Sequence, residues 1–295
     1  MAVMTRVVEH RALEYRRTFR ASIFSSFLSP ILFLTAMTRV VETRALQYRR
    51  TFRASIFSSF LNPVLFLLAM GVGLGTYVDR SGTATTALGG LSYLQFLAPG
   101  LLAATTMQAA AFESTFPIMG GLTWQKTFHA MYATPITPRD IALDNMAWFA
   151  ARLTMICTIF TIVIVAFGAA ESPLIVLAIP AAVLTGMAFA TPIAAFSATQ
   201  KTPSKFAAIF RFGITPLFLF SGTFFPITTL PAALQALAWL TPLFHGVALT
   251  RGLSLGTIAD DPIAAVIHVT YLATLALVGG WLMIRNIRRR LVAGS

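Results

Sequence analysis

Charged side chains are scarce. Asp, Glu, Lys and Arg together make up 11% of the 295 residues, against 57% from the apolar set, and the mean hydropathy is +0.76. A soluble domain carries roughly 25% charged residues, so this chain lacks a polar skin and much of it must face lipid. Acid is scarcer still, with 10 Asp and Glu against 22 Lys and Arg, a net charge of +12. The single cysteine, Cys157, excludes a disulfide framework and a cysteine-rich metal site. Four histidines, His10, His129, His245 and His268, share no ligand spacing, so no metal is expected. A phosphate-binding loop is also missing: in its nearest match, Gly120 to Thr127, Gln125 stands where the second glycine would let backbone amides approach a phosphate. Energy for any ATP-driven work must therefore come from another polypeptide. The 25 Phe and 15 Pro exclude a coiled coil or a disordered chain. A pI near 11.0 would raise nucleic-acid binding in a soluble protein; in a lipid-facing chain the placement of the charges decides, and no nucleic acid is expected.

What is present begins with a repeat. Met4 to Ala36 recur as Met37 to Ala69 with 28 of 33 positions identical. Helical-repeat arrays need three or more units, so residues 1–36 read as a surplus copy. The apolar run of this first copy, Ala21 to Met37, reaches only about 25 Å at the helical rise, short of a hydrocarbon core of roughly 30 Å. In the second copy Val41, Ala45, Tyr48 and Phe52 share one helical face beside Arg44, Arg49, Arg50 and Arg53. That pattern predicts a basic amphipathic helix over 37–53 lying on the inner leaflet.

Six apolar segments follow, at 54–78, 93–115, 148–167, 174–197, 206–221 and 263–284. With the amino terminus inside, fifteen Lys and Arg fall in inner segments and only Arg80 and Arg251 in outer loops, a strong positive-inside bias. The expected fold is an all-α integral membrane bundle of six spans, with both termini cytoplasmic and no cleavable signal peptide. The stretch 222–250 is apolar but broken by Pro226, Pro231 and Pro242, and its longest uninterrupted helical piece, Ala232 to Thr241, is far too short to cross. It reads as re-entrant, with its backbone sheltered by protein; the alternative is one badly broken span.

Between the second and third spans, Trp124, Phe128 and Tyr132 are spaced i, i+4, i+8 with Lys126 and His129 beside them, which predicts an aromatic ridge over 123–134. Such a ridge suits docking into a soluble partner's groove or dipping into lipid, and spacing leaves both open. Glu113 and Arg152 lie near the inner ends of spans two and three; they read as snorkelling to the interface, with a place in a substrate pathway as the alternative.

The run from Ser221 to Arg251 closely resembles the stretch before the last span of ABC-2 type permeases, the membrane subunits of ATP-binding-cassette exporters. FESTF at 112–116 and WQKTFHAMYATPITPRDI at 124–141 are similar to the branch containing nodulation lipo-oligosaccharide and daunorubicin-type drug exporters. The resemblance covers nearly everything from Met37 onward. It implies six spans, a re-entrant half-helix pair, and a dimer of permeases on a dimer of ATPases that bind ATP and Mg. It also implies that Trp124, Lys126, Phe128, His129 and Tyr132 form an ATPase-coupling element. Phe224, Phe225, Pro226, Pro231, Pro242, His245 and Arg251 become a re-entrant gate. The expected function is outward movement of an amphipathic, lipid-linked or hydrophobic molecule across a bacterial cytoplasmic membrane, with no catalytic residues in this chain. An ion-coupled secondary transporter would need inverted repeats and midplane ionisable groups. A membrane-embedded lipid or sugar transferase would need an acid/base cluster. Neither pattern is visible.

Overall fold

A computed structural model describes residues 61, 64–80 and 88–293. The chain divides into two units, Met1–Arg53 and Ala54–Ser295, and the described residues all belong to the second. The surplus copy at 1–36, the amphipathic helix at 37–53 with Arg44, Arg49, Arg50 and Arg53, and the first ten residues of the segment 54–78 apart from residue 61 lie outside them.

The described residues are helical throughout, with no strand among them. Helix α1 is a π-helical stretch, Leu67–Leu74, continued by Gly75–Arg80. Helix α2, Tyr93–Met119, starts on a capping box in which Ser92 and Gln95 satisfy each other's backbone amides, and it ends in the π-turn Gly120–Trp124. A short helix α3 (Thr127–Tyr132) leads to α4 (Pro138–Ala166), whose start is set by Thr137, Asp140 and a proline at the first turn. Then come α5 (Ile175–Ser197) and α6, an uninterrupted run of Ser204–Ala208, the π-turn Ile209–Ile214 and Thr215–Phe220. The last three are α7 (Ala232–Trp239), α8 (Pro242–Leu255) and α9 (Pro262–Ala293).

Three helices, α4, α5 and α9, are long and apolar enough to cross a membrane; a fourth candidate is the pair α7–α8, bent by 84° at its break. Among the described residues, length and composition thus single out three of the six expected spans, with a fourth crossing if the bent pair is one span. Helix α2 has the length, at 27 residues, but it carries Gln95, Thr105, Thr106, Gln108, Glu113, Ser114 and Thr115. It tolerates these polar groups because it runs through the middle of the bundle against α4, α5 and α8, with Thr106, Ser114 and Thr115 fully buried. Their hydroxyls bond carbonyls one turn back, which keeps them satisfied without water. The segment expected at 148–167 begins ten residues earlier, because the capping box at Thr137 starts α4 at the end of the α3 connection.

Helix α5 packs on α9, α2, α8 and α4. Close approach there depends on small residues: a Cβ at Gly279 of α9 would come within 2.5 Å of Thr191 Oγ1 on α5. Thr191 uses that hydroxyl to reach Ala276 O at 2.9 Å.

The two ends of the bundle differ in charge. One holds Lys126, Arg139, Lys201, Lys205 and Arg288 to Arg290 against Asp140; the other holds Asp79, Glu171, Asp260 and Asp261 against Arg80. Contacts fix each grouping. Arg290 bonds Gln200 and Thr123 at the basic end. At the acidic end Asp79 accepts from the amide of Tyr93, Glu171 accepts from Gln95, and Ser254 O accepts from the amides of Glu171 and Ser172.

Candidate functional site

At the basic end, the link from α2 to α4 is an elbow rather than a continuous ridge. Helical spacing breaks at Lys126, which takes a left-handed backbone at φ 52° without being glycine. Trp124 therefore ends the π-turn, and α3 starts afresh at Thr127. Trp124 and Tyr132 are exposed, at 55% and 39%, whereas Phe128 is 3% exposed. Phe128 turns inward onto Gly121, where a Cβ would come within 2.6 Å of its ring, and joins the core of Ile118, Leu122 and Ile141. The expectation of three aromatics on one docking face is corrected: Phe128 anchors the elbow, and Trp124, Lys126 and Tyr132 form its outer surface. His129 is half-buried beside them.

One arginine ties this elbow to the bundle. Arg290 of α9 donates from Nη2 to Thr123 Oγ1 at 2.8 Å, and from Nη1 to Ala198 O at 2.8 Å and to Gln200 O. The reason lies in helix geometry. The last carbonyls of α5 have no partner within their own helix, and a guanidinium offers five donors in a planar fork. Asn286, one turn earlier, donates to Ala195 O at 2.9 Å and completes the cap. Neither Arg290 nor Asn286 was singled out from sequence. The available signal was a polar and basic run on a helix leaving an apolar span, opposite a helix that lacks a glycine cap.

The same logic governs the acidic end. The 84° break between α7 and α8 leaves carbonyls at Trp239 and Leu240 short of donors. His245 Nε2 donates to Trp239 O at 2.9 Å, and Tyr271 Oη donates to Leu240 O at 2.6 Å. With Nε2 carrying a proton, neutral His245 presents Nδ1 as acceptor. His268 Nδ1 lies 2.6 Å away and is the donor in this assignment. Tyr271 lies 4.1 Å from the His245 ring, and Trp239 and Phe244 close the cluster. His245 was an expected gate residue; His268 and Tyr271, on α9, were not. Pairing across 23 residues has no local sequence pattern, though a histidine inside an apolar span does call for a partner.

The remaining expected gate residues fall on the same loop. Pro226 precedes the 3₁₀ turn Ile227–Thr229, Pro231 precedes α7, and Pro242 opens α8, where each lacks a partner-seeking N–H. Phe224 packs on Phe218 of α6 and Phe66 at the start of α1, with centroids 5.1 and 6.1 Å apart, while Phe225 is half-buried. Arg251 lies in the interior. Its Nη2 donates to Gly222 O at 2.9 Å, its Nε to Phe96 O at 3.2 Å, and its guanidinium sits 3.7 Å over the Phe96 ring. It locks the bent α7–α8 pair to α2 at Gly100, where a Cβ would approach its Nη2 to 3.0 Å.

Glu113 and Arg152 are corrected as a pair. They do not extend separately to an interface: Arg152 Nε is 2.6 Å from Glu113 Oε1, both side chains about one-fifth exposed. The pair joins α2 to α4 and cancels two charges that would be costly singly. The glycines of the near phosphate-loop match form a helical π-turn rather than a strand-to-helix loop.

Apolar membrane-length helices, a sharply bent helix pair pinned from two sides and an exposed elbow at the basic end define a multi-pass membrane permease. The model of the ABC-2 type transporter family matches residues 35–255. This chain belongs to that family, as the membrane subunit of an ATP-binding-cassette exporter. Among curated relatives it is similar to Nodulation protein J of Rhizobium leguminosarum bv. viciae, 34% identical over 76% of this chain and 82% of that one. It is likewise similar to Nodulation protein J of R. leguminosarum bv. trifolii, at 33% over 76% and 81%, and of Rhizobium meliloti strain 1021, at 31% over the same shares.

Proposed function

We propose that the chain is one half of an exporter in the bacterial cytoplasmic membrane. Two copies, crossing six times each with both termini inside, sit on a separate pair of ATPases that bind ATP and Mg. The cargo is an amphipathic, lipid-linked or hydrophobic molecule of the lipo-oligosaccharide or hydrophobic-drug class.

The observation that carries this reading is the junction at Thr123, Ala198, Gln200 and Arg290, beside an elbow whose outer face is Trp124, Lys126 and Tyr132. A soluble partner pressing on that face would move α2 through the π-turn at Gly120 and Gly121, and would move α5 and α9 through Arg290. Exposed Phe112 and Phe116 on α2 and Phe212 and Phe220 on α6 offer an apolar face for the second copy and for a cargo between the copies. ATP-driven closure would then reach the opposite end through α2 and Arg251, releasing the re-entrant pair.

Reconstitution in proteoliposomes with the ATPase subunit tests the reading. Lipids and hydrophobic drugs from a panel are expected to stimulate ATP hydrolysis and to leave the ATPase-facing side only with ATP. Arg290→Ala is expected to keep the ATPase bound while lowering transport per ATP, and Arg290→Lys to restore part of it. Transport driven by an ion gradient without the ATPase would refute the reading.

A further inference from the structure

Three arginines of α9 take no part in the Arg290 junction. Arg285, Arg288 and Arg289 are exposed and line an open groove with Trp281, Ile284 and Val292. Positions 277, 281, 285, 288 and 292 recur at i, i+4, i+8, i+11 and i+15, so they form one stripe along the helix. The stripe changes character along its length. Leu277 and Trp281 are 75% and 59% exposed and apolar, with Val278 alongside; one turn later the surface is cationic. Arg285 lies over the Trp281 ring, 5.3 Å from its centroid, which holds the first cation at the boundary between the two regions. Among the described residues no carboxylate pairs with any of the three.

We infer that this stripe is a binding site for an anionic phospholipid, of the inner leaflet on the orientation proposed above, with both termini inside. Acyl chains lie along Leu277, Val278 and Trp281, and the phosphate is held by Arg285, Arg288 and Arg289. A surface that is apolar for about one turn, from Leu277 to Trp281, and cationic over about another, from Arg285 to Arg289, matches one amphiphile with an anionic head. Three guanidiniums with no carboxylate paired to them among the described residues favour a mono-anionic or di-anionic phosphate over a neutral headgroup. The site is separate from the ATPase junction, because Arg290 points to α5 and Thr123 from another face of the helix.

The test uses the full chain in nanodiscs containing photoactivatable phosphatidylglycerol or, separately, photoactivatable phosphatidylcholine. Label is then mapped by peptide. The expected result is that phosphatidylglycerol labels the segment 277–292 at least about tenfold more than phosphatidylcholine does, less than the roughly hundredfold that three fully engaged arginines would give. The triple change Arg285→Gln, Arg288→Gln and Arg289→Gln should abolish the preference at that segment while leaving label elsewhere. A charge-matched control, Lys201→Gln, Lys205→Gln and Arg211→Gln, should leave it intact. Equal loss in the control would mean that bulk charge alone attracts the lipid, and would overturn the site. Loss of label when the ATPase subunit assembles would assign the groove to that protein and overturn it as well. Competition of the label by a transported cargo at equal concentration would assign the stripe to the substrate instead.

Discussion

The two ends of the bundle solve one problem with different chemistry. At the basic end the carbonyls of Ala198 and Gln200, just past α5, are met by a cation, Arg290, which also donates to Thr123 of the exposed elbow. At the acidic end the open carbonyls of α7 are met by His245 and Tyr271, and the remaining histidine nitrogen is spent on His268 inside a closed aromatic cluster. Both arrangements satisfy broken helices away from water. The first leaves a surface able to receive a push, and the second leaves a latch with its polar groups turned inward. A helix cap in a membrane protein can thus also tie together two elements that are distant in sequence.

The sharpest way to break this contrast is at Phe128. If the elbow is anchored by Phe128 and presented by Trp124, Phe128→Ala should cost about 3–5 kcal/mol of stability, the range for emptying a buried aromatic site. Unfolding of the permease in detergent, without any ATPase present, is the measurement. Normal stability combined with lost ATPase binding would return Phe128 to the docking face.

Arg251 comes next, as the acidic end's counterpart of Arg290. Arg251→Leu strands Gly222 O and Phe96 O of hydrogen bonds to a charged donor, with an expected loss of about 1.5–3 kcal/mol. Limited proteolysis should then open the stretch 222–231 before the rest of the bundle. Trp124→Ala separates surface from anchor: stability should stay within about 0.5 kcal/mol, while affinity for the ATPase subunit falls by about 2 kcal/mol, a hot-spot loss. Smallest is the histidine pair. A double-mutant cycle of His245→Phe and His268→Phe should give a coupling of about 0.5–1.5 kcal/mol, the net contribution of one neutral hydrogen bond; additive effects would show that the two rings do not share a bond.

The charge pattern and apolar runs announced α5, α9 and the broken segment before α9, because lipid exposure and proline act locally on composition. Less was legible where structure depends on distant partners. Helix α2 falls short of a span by composition, since its polar residues are tolerated only through burial against α4, α5 and α8. The ridge at Trp124, Phe128 and Tyr132 failed on one residue, Lys126, whose left-handed backbone carries no glycine to announce it. Glu113 and Arg152 were noticed singly and found to be each other's partner. The links from Arg290 to Thr123 and from His245 to His268 join residues far apart in sequence and were beyond periodicity altogether.

Crosslinking tests most directly whether the elbow at the basic end is where a separate ATPase acts. In a Cys157→Ala background, single cysteines at positions 124, 132 and 260 would be offered to the ATPase subunit with a short crosslinker in reconstituted membranes. The account predicts crosslinks from 124 and 132 that change in yield when ATP is added, and none from 260. A crosslink from 260, or none from either elbow position while transport remains ATP-dependent, would contradict it.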